Sequence, residues 1–76
     1  MADTDILLHR IDPSCNMARF YELAIEPSLF GDTALVRRWG RIGTRGRQTI
    51  ELHPDAATAT AALNRWLRAK QQRGYR

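Results

Sequence analysis

Between Leu35 and Arg47 the chain reads Leu-Val-Arg-Arg-Trp-Gly-Arg-Ile-Gly-Thr-Arg-Gly-Arg, a run that sets one indole among five guanidiniums with no acid between them. A guanidinium donates two parallel hydrogen bonds to phosphate and stacks on rings, and an indole offers its face to a base or sugar. Nucleotide and phosphate contact is the chemistry these types support. A blander reading competes with it, in which the run is a stable surface strand of an ordinary small domain. Other chemistries find less support. His9 and His53 have no paired nucleophile, Ser14 and Ser28 fall in turns without a base nearby, and Glu22 and Glu26 suit a solvated strand face, so no enzymatic activity is expected. A zinc site would need His9, His53 and Cys15 to converge from distant points with no ligand spacing, so neither metal nor cofactor is implied. Cys15 is the single cysteine, cannot close an internal disulfide, and is read as filling space.

Behind the run stands an uneven charge distribution. The formal net charge is +4, with eight acids against twelve bases. Residues 1–32 hold most of the acids, whereas residues 33–76 hold most of the bases and only Glu51 and Asp55 as acids. The basic half is the electrostatic footprint of a polyanion partner. Codon bias in a GC-rich genome explains a preference for Arg over Lys equally well, but not the segregation. With 76 residues there is room for one domain, residues 1–76 with a core over about 6–75, and a chain this short buries only about 60% of its unfolded surface. A deep catalytic cleft is not expected. An apolar fraction of 43% beside 26% charged residues is that of a globular protein. The apolar run Ile6-Leu7-Leu8 is too short, and too close to Asp3 and Asp5, for a secretory signal or membrane span. A cytoplasmic location without membrane attachment is the expectation.

The elements that must position the run follow from periodicity. Ile6 to Asp12 reads as a strand closed by the turn Asp12-Pro13-Ser14. Ala18 to Glu26 reads as a half-buried strand, with Tyr21, Leu23 and Ile25 on one face and Glu22 and Glu26 on the other. After the connection from Pro27 to Asp32, a strand runs from Thr33 or Ala34 to Ile42. Gly43-Thr44-Arg45-Gly46 forms a tight hairpin loop, and Arg47 to His53 returns with Gln48, Ile50 and Leu52 alternating. Past Pro54 the period changes, with Ala56, Ala59, Leu63, Trp66, Leu67 and Lys70 at helical spacing. Asp55 or His53 caps that helix, Arg68, Lys70 and Arg73 suit its C-terminal end, and Gly74 stops it. Trp66, on the apolar stripe, should anchor the helix. The fold class expected is α+β, an antiparallel meander of about four strands with one long C-terminal helix packed on it.

Alternation then sorts the signature strand. Val36, Arg38, Gly40 and Ile42 share one side, while Leu35, Arg37, Trp39 and Arg41 share the other. Two placements of Trp39 stay open. Between Arg37 and Arg41 it is partly exposed, or it enters the core while those arginines snorkel past it. A bulge at Gly40 would reverse the parity of Arg41.

Trp39-Gly40-Arg41-Ile42-Gly43, with Asn16-Met17-Ala18-Arg19-Phe20-Tyr21-Glu22-Leu23 before it and Arg73-Gly74-Tyr75 after it, resembles the WGR domain family over about Ile6 to Tyr75. Members are best known as modules of DNA-dependent poly(ADP-ribose) polymerases, where they grip a broken duplex near its 5′ end and relay binding to the catalytic domain. They also occur alone in short bacterial proteins. The resemblance implies a sheet with a helix against it, a tryptophan at the position of Trp39 packing on a terminal sugar, and an arginine at that of Arg41 contacting DNA. It also points to Asn16 and Arg19 near the backbone, and leaves Tyr75 open between packing and binding. The chain carries no polymerase catalytic domain, regulatory subdomain or zinc finger, so relay does not carry over within it.

The expected function is binding of DNA, at duplex ends or nicks, with low sequence specificity because no base-reading element is evident. Trp39, Arg41, Arg37, Arg45, Arg47, Arg19 and Asn16 are the candidate contacts, Arg45 and Arg47 by charge and loop position. RNA is a second candidate ligand, since backbone and sugar contacts distinguish it poorly. The alternative is a protein-interaction module that docks a separate partner through the Trp-Gly-Arg strand.

Overall fold

The structure, a computed structural model, describes residues 4–28 and 30–76. Asp3, named above, and Leu29, in the connection from Pro27 to Asp32, lie outside them. Strands β1 (Thr4–Asp12), β2 (Met17–Pro27), β3 (Thr33–Arg41) and β4 (Arg47–His53) pair antiparallel in chain order, and helix α1 (Ala56–Gln72) lies across one face. This is the α+β meander that the periodicity predicts. β1 begins two residues before Ile6, and β3 ends one before Ile42, whose amide still donates to the Ala18 carbonyl at 2.9 Å.

Local chemistry sets each corner. At the β1–β2 turn the Asp12 carboxylate accepts from the Ser14 amide at 3.1 Å and the Ser14 hydroxyl at 2.6 Å, and Pro13 opens a 3-10 turn through Cys15. The hydroxyl bond, followed by one from Cys15, holds the Asp12 carboxyl below its ordinary range. Asn16 closes the turn at φ 51°, a left-handed conformation that a short polar side chain tolerates. At the start of α1 the cap is Asp55, whose carboxylate accepts from the Thr58 amide at 2.7 Å and is held below its ordinary range by that bond. Gly74 at φ 98° ends the helix as expected.

The core lies between α1 and the sheet. Leu8, Tyr21, Leu23, Ile25 and Leu35 present one sheet face to Ala59, Ala62 and Leu63. The two alanines carry little bulk, which lets the helix lie close. Leu23 and Leu35 have no exposed surface, and burying each contributes about 1.5–3 kcal/mol relative to exposure. Trp66 packs at the margin of this core, half-buried, and not at its centre.

The opposite sheet face is uncovered by α1. β4 alternates as expected, but its register with β3 places Ile50 beside Val36 and Leu52 beside Ala34, on the side away from the helix. Leu7, Ile50 and Leu52 are consequently 54%, 56% and 62% exposed. Arg47, Thr49, Glu51 and His53 take the helix side. Among the described residues no helix is long and apolar enough to cross a membrane.

Candidate nucleic-acid interface

The register settles the two open questions about β3. Phe20 pairs with Gly40 and Arg19 with Arg41 without interruption, so no bulge reverses parity, and Leu35, Arg37, Trp39 and Arg41 all face the helix side. Trp39 is half-buried. Its ring stacks on that of Tyr21 with centroids 6.1 Å apart and planes inclined by 23°, and Tyr75 meets Tyr21 edge-on at 6.1 Å. Trp39 thus sits where the core ends, backed by a buried ring while part of its surface remains open. Each earlier alternative captured one half of this placement.

Cross-strand pairing then assembles a charged row. Arg10 pairs with Arg19 and Arg19 with Arg41, so three guanidiniums lie on adjacent strands spaced by about 4.8 Å. In the neighbouring row Leu8, Tyr21, Trp39 and Arg47 follow one another across the sheet. Like charges directly opposite each other destabilise a sheet. Among the described residues Arg10, Arg19, Arg41, Arg45 and Arg47 form no ion pair with an acid. Arg10 was not among the expected contacts. Its signal was available only through the β1–β2 register.

Two shallow clefts meet at this row. One, of about 280 Å³, is bordered by Asn16, Arg19, Gly40 and Arg41, with Cys15 at its rim. The other, of about 530 Å³, runs past Arg19, Trp39, Arg41 and Arg47. Cys15, expected to fill space, is exposed instead. Asn16 is exposed as well, and its left-handed backbone gives it a structural task beside any contact it makes.

The hairpin that carries Arg45 and Arg47 depends on the signature glycine. A Cβ on Gly40 would come within 2.7 Å of the Gly46 Cα, so any side chain there displaces the returning loop. Gly43 and Gly46 take φ 94° and 71°, the turn conformation that glycine supplies without strain. Arg38 ties the loop down: its Nε donates to Glu22 at 3.0 Å, its Nη1 donates to the Arg45 carbonyl at 3.2 Å, and its guanidinium lies 5.1 Å from the Phe20 ring centroid.

Arg37, expected among the phosphate contacts, is turned inward. Its Nε donates to Glu51 Oε2 at 3.0 Å and its Nη1 to the Tyr21 hydroxyl at 3.2 Å. The guanidinium carbon lies 3.8 Å from the Trp66 ring centroid and 5.5 Å from that of Trp39, and only 13% of the side chain is exposed. Burial pushes the Tyr21 phenol above its ordinary value, against the pull of the Arg37 bond. Burial also holds the Lys70 ammonium below its ordinary range, helped by the charges of Arg73 and Arg37; it lies 4.7 Å from the Tyr21 ring centroid. Arg37 therefore joins Trp39 to α1, with its Nε and Nη1 donating within the protein.

A four-stranded meander with a C-terminal helix carries, at the Trp-Gly-Arg turn, a half-open tryptophan beside a row of arginines that have no acid partner among the described residues. The chain belongs to the WGR domain family, whose model matches residues 4–76. WGR domains are in general nucleic-acid-binding modules. The chain is also similar to the uncharacterized protein y4dW of Sinorhizobium fredii (strain NBRC 101917 / NGR234), at 42% identity over 84 residues, an alignment that takes in all of this chain and 41% of that protein. It thus spans about two fifths of the length of the curated relative it matches. No solved structure matches it.

Proposed function

We propose that this chain binds DNA at duplex ends or nicks, through phosphates and a terminal sugar and with little sequence preference. The carrying observation is the row Arg10, Arg19 and Arg41 beside the half-open Trp39, a set of adjacent like charges with no acid partner among the described residues. Such a row is internally repulsive, and phosphates relieve the repulsion by entering between the guanidiniums. Trp39, fixed from behind by Tyr21, offers its open surface to a sugar or base; by comparison with base–aromatic stacking this contributes about 1–3 kcal/mol. Arg45 and Arg47 extend the basic surface along the hairpin, and Asn16 borders it. Arg37 serves this surface by holding Trp39, not by meeting phosphate. The role is one of binding and not of catalysis.

Docking of a protein partner through β3 has less to work with. β3 is hydrogen-bonded to β2 on one side and β4 on the other, so only its side chains are available to a partner.

Titration of labelled nicked and blunt duplexes at about 50 and 200 mM salt tests the reading, because each phosphate neutralised adds about −0.9 to the slope of log K against log salt. A slope of roughly −4, for contacts by Arg10, Arg19, Arg41 and the hairpin, is expected. Absence of binding at the lower salt, or affinity unchanged in Trp39→Ala and Arg41→Ala, overturns it. Competition by a matched RNA duplex reports which backbone is preferred.

A further inference from the structure

The two outer edges of the sheet are finished differently. On β1 the His9 amide donates to the Arg76 carbonyl at 2.9 Å and the Arg76 amide donates back to the His9 carbonyl at 2.8 Å, so that edge is bridged at His9. Among the described residues β4 makes backbone strand bonds only to β3, and its outer edge is bare. Natural edges are blunted by proline, bulges or inward charges. β4 has neither proline nor glycine, its register with β3 runs unbroken from the Trp39–Arg47 pair to the Thr33–His53 pair, and its inward-facing Glu51 is already ion-paired with Arg37 at 3.0 Å. Ile50 and Leu52 stand exposed on it.

We propose that β4 pairs antiparallel with β4 of a second copy of this chain, about a two-fold axis through Ile50, to form a continuous eight-stranded sheet. In that register Ile50 faces its own counterpart, Thr49 faces Glu51, Gln48 faces Leu52 and Arg47 faces His53. All seven residues of the strand are paired and no like carboxylates or guanidiniums oppose each other. Arg47 lies diagonal to the other copy's Glu51, within reach of a long side chain. Shifting the axis to Glu51 would set that carboxylate against itself. Shifting it to Thr49 would leave Leu52 opposite the glycine turn. The symmetric register also joins the exposed Ile50 and Leu52 of both copies into one apolar stripe on the uncovered face.

A second copy is favoured over an open chain of copies because the pairing is isologous: the same β4 edge serves both copies and is used up when they meet, so pairing closes at two. One strand pair with its flanking side chains falls below the roughly 1,200 Å² of a standard interface, so the dimer is weak and concentration-dependent. The inference needs no DNA and does not rest on the nucleic-acid reading, although Arg47 at the start of β4 belongs to both surfaces.

Sedimentation velocity of the full chain from micromolar to millimolar protein, without nucleic acid, should show mass rising from one copy toward two. Ile50→Lys and Ile50→Glu each place like charges on the axis and should raise the dissociation constant at least about tenfold, while an equimolar mixture of the two restores association. Ile50 is half exposed outside the helix-covered core, and matching urea midpoints verify that both variants fold. Hydrogen exchange of the unaltered chain supplies a second readout: β4 amides should gain protection with concentration while β1 amides do not. A chain that stays monomeric over the whole range overturns the proposal. So does a dimer unmoved by both substitutions, or protection that appears elsewhere than β4.

Discussion

Along the Trp-Gly-Arg strand and its hairpin, arginines of one type fall into two groups. Toward the middle of the sheet Arg37 is bound to Glu51 and Tyr21 and Arg38 to Glu22, each beside an aromatic ring. Toward the turn Arg41, Arg45 and Arg47 have no acid partner among the described residues, and pairing adds Arg19 and Arg10 to them. What separates the groups is the register, because β2 and β4 place glutamates opposite or diagonal to the first pair and place none beside the others. Arginine richness alone therefore says little about ligand contact; the location of the nearest carboxylate across the ladder says more.

The largest effect that would sharpen this contrast is at the boundary between the groups. Trp39→Ala should lower duplex affinity by about 1–3 kcal/mol, or roughly 5- to 150-fold, in fluorescence anisotropy, while the urea midpoint moves less because the ring is already half open. Arg37→Met should act through the fold instead. It leaves Glu51 and the Tyr21 hydroxyl without their donor, and a loss of about 1–3 kcal/mol in urea unfolding is expected, with the salt slope of binding unchanged. A slope reduced by about 0.9 would move Arg37 into the ligand-binding group and break the division.

Arg41→Ala is the converse. It should reduce the salt slope by about 0.9 without lowering stability, since it removes a charge from a self-repelling row. A marked fall in the unfolding midpoint would show that Arg41 holds the fold after all. The smallest effect concerns acid. Asp12 and Asp55 are held below their ordinary range in the folded chain, so their stabilisation is complete above that range and is lost as pH falls through the folded values. Melting curves between neutral pH and pH about 3 should therefore show a falling midpoint that Asp55→Ala blunts.

Much of the fold was legible because its signals are local. The strands announce themselves by alternation, Gly43 and Gly46 by the hairpin they permit, and α1 by the Asp55 cap and the spacing of Ala59, Leu63 and Trp66. The Trp-Gly-Arg residues were equally visible, together with the face that Trp39 and Arg41 share. What stayed hidden depends on partners distant in sequence. Glu51 lies fourteen residues from Arg37, and only the β3–β4 register brings them together. Arg10 joins Arg19 through the β1–β2 register, which the Asp12-Pro13-Ser14 turn sets but does not announce. The outward orientation of Ile50 and Leu52 runs against the usual rule that the apolar side of a strand faces the core. Here Glu51 and Thr49 turn toward the helix, and Glu51 there meets Arg37.

The placement of Arg37 also gives the molecule a built-in optical probe. The chain has two tryptophans, and both rings lie within 5.5 Å of this one guanidinium, Trp39 at the open boundary and Trp66 against the helix. Emission from Trp39 should respond to a ligand at the basic row, whereas that from Trp66 responds to release of α1. Trp66→Phe and Trp39→Phe separate the two signals, so occupancy and unfolding can be followed in one unlabelled sample.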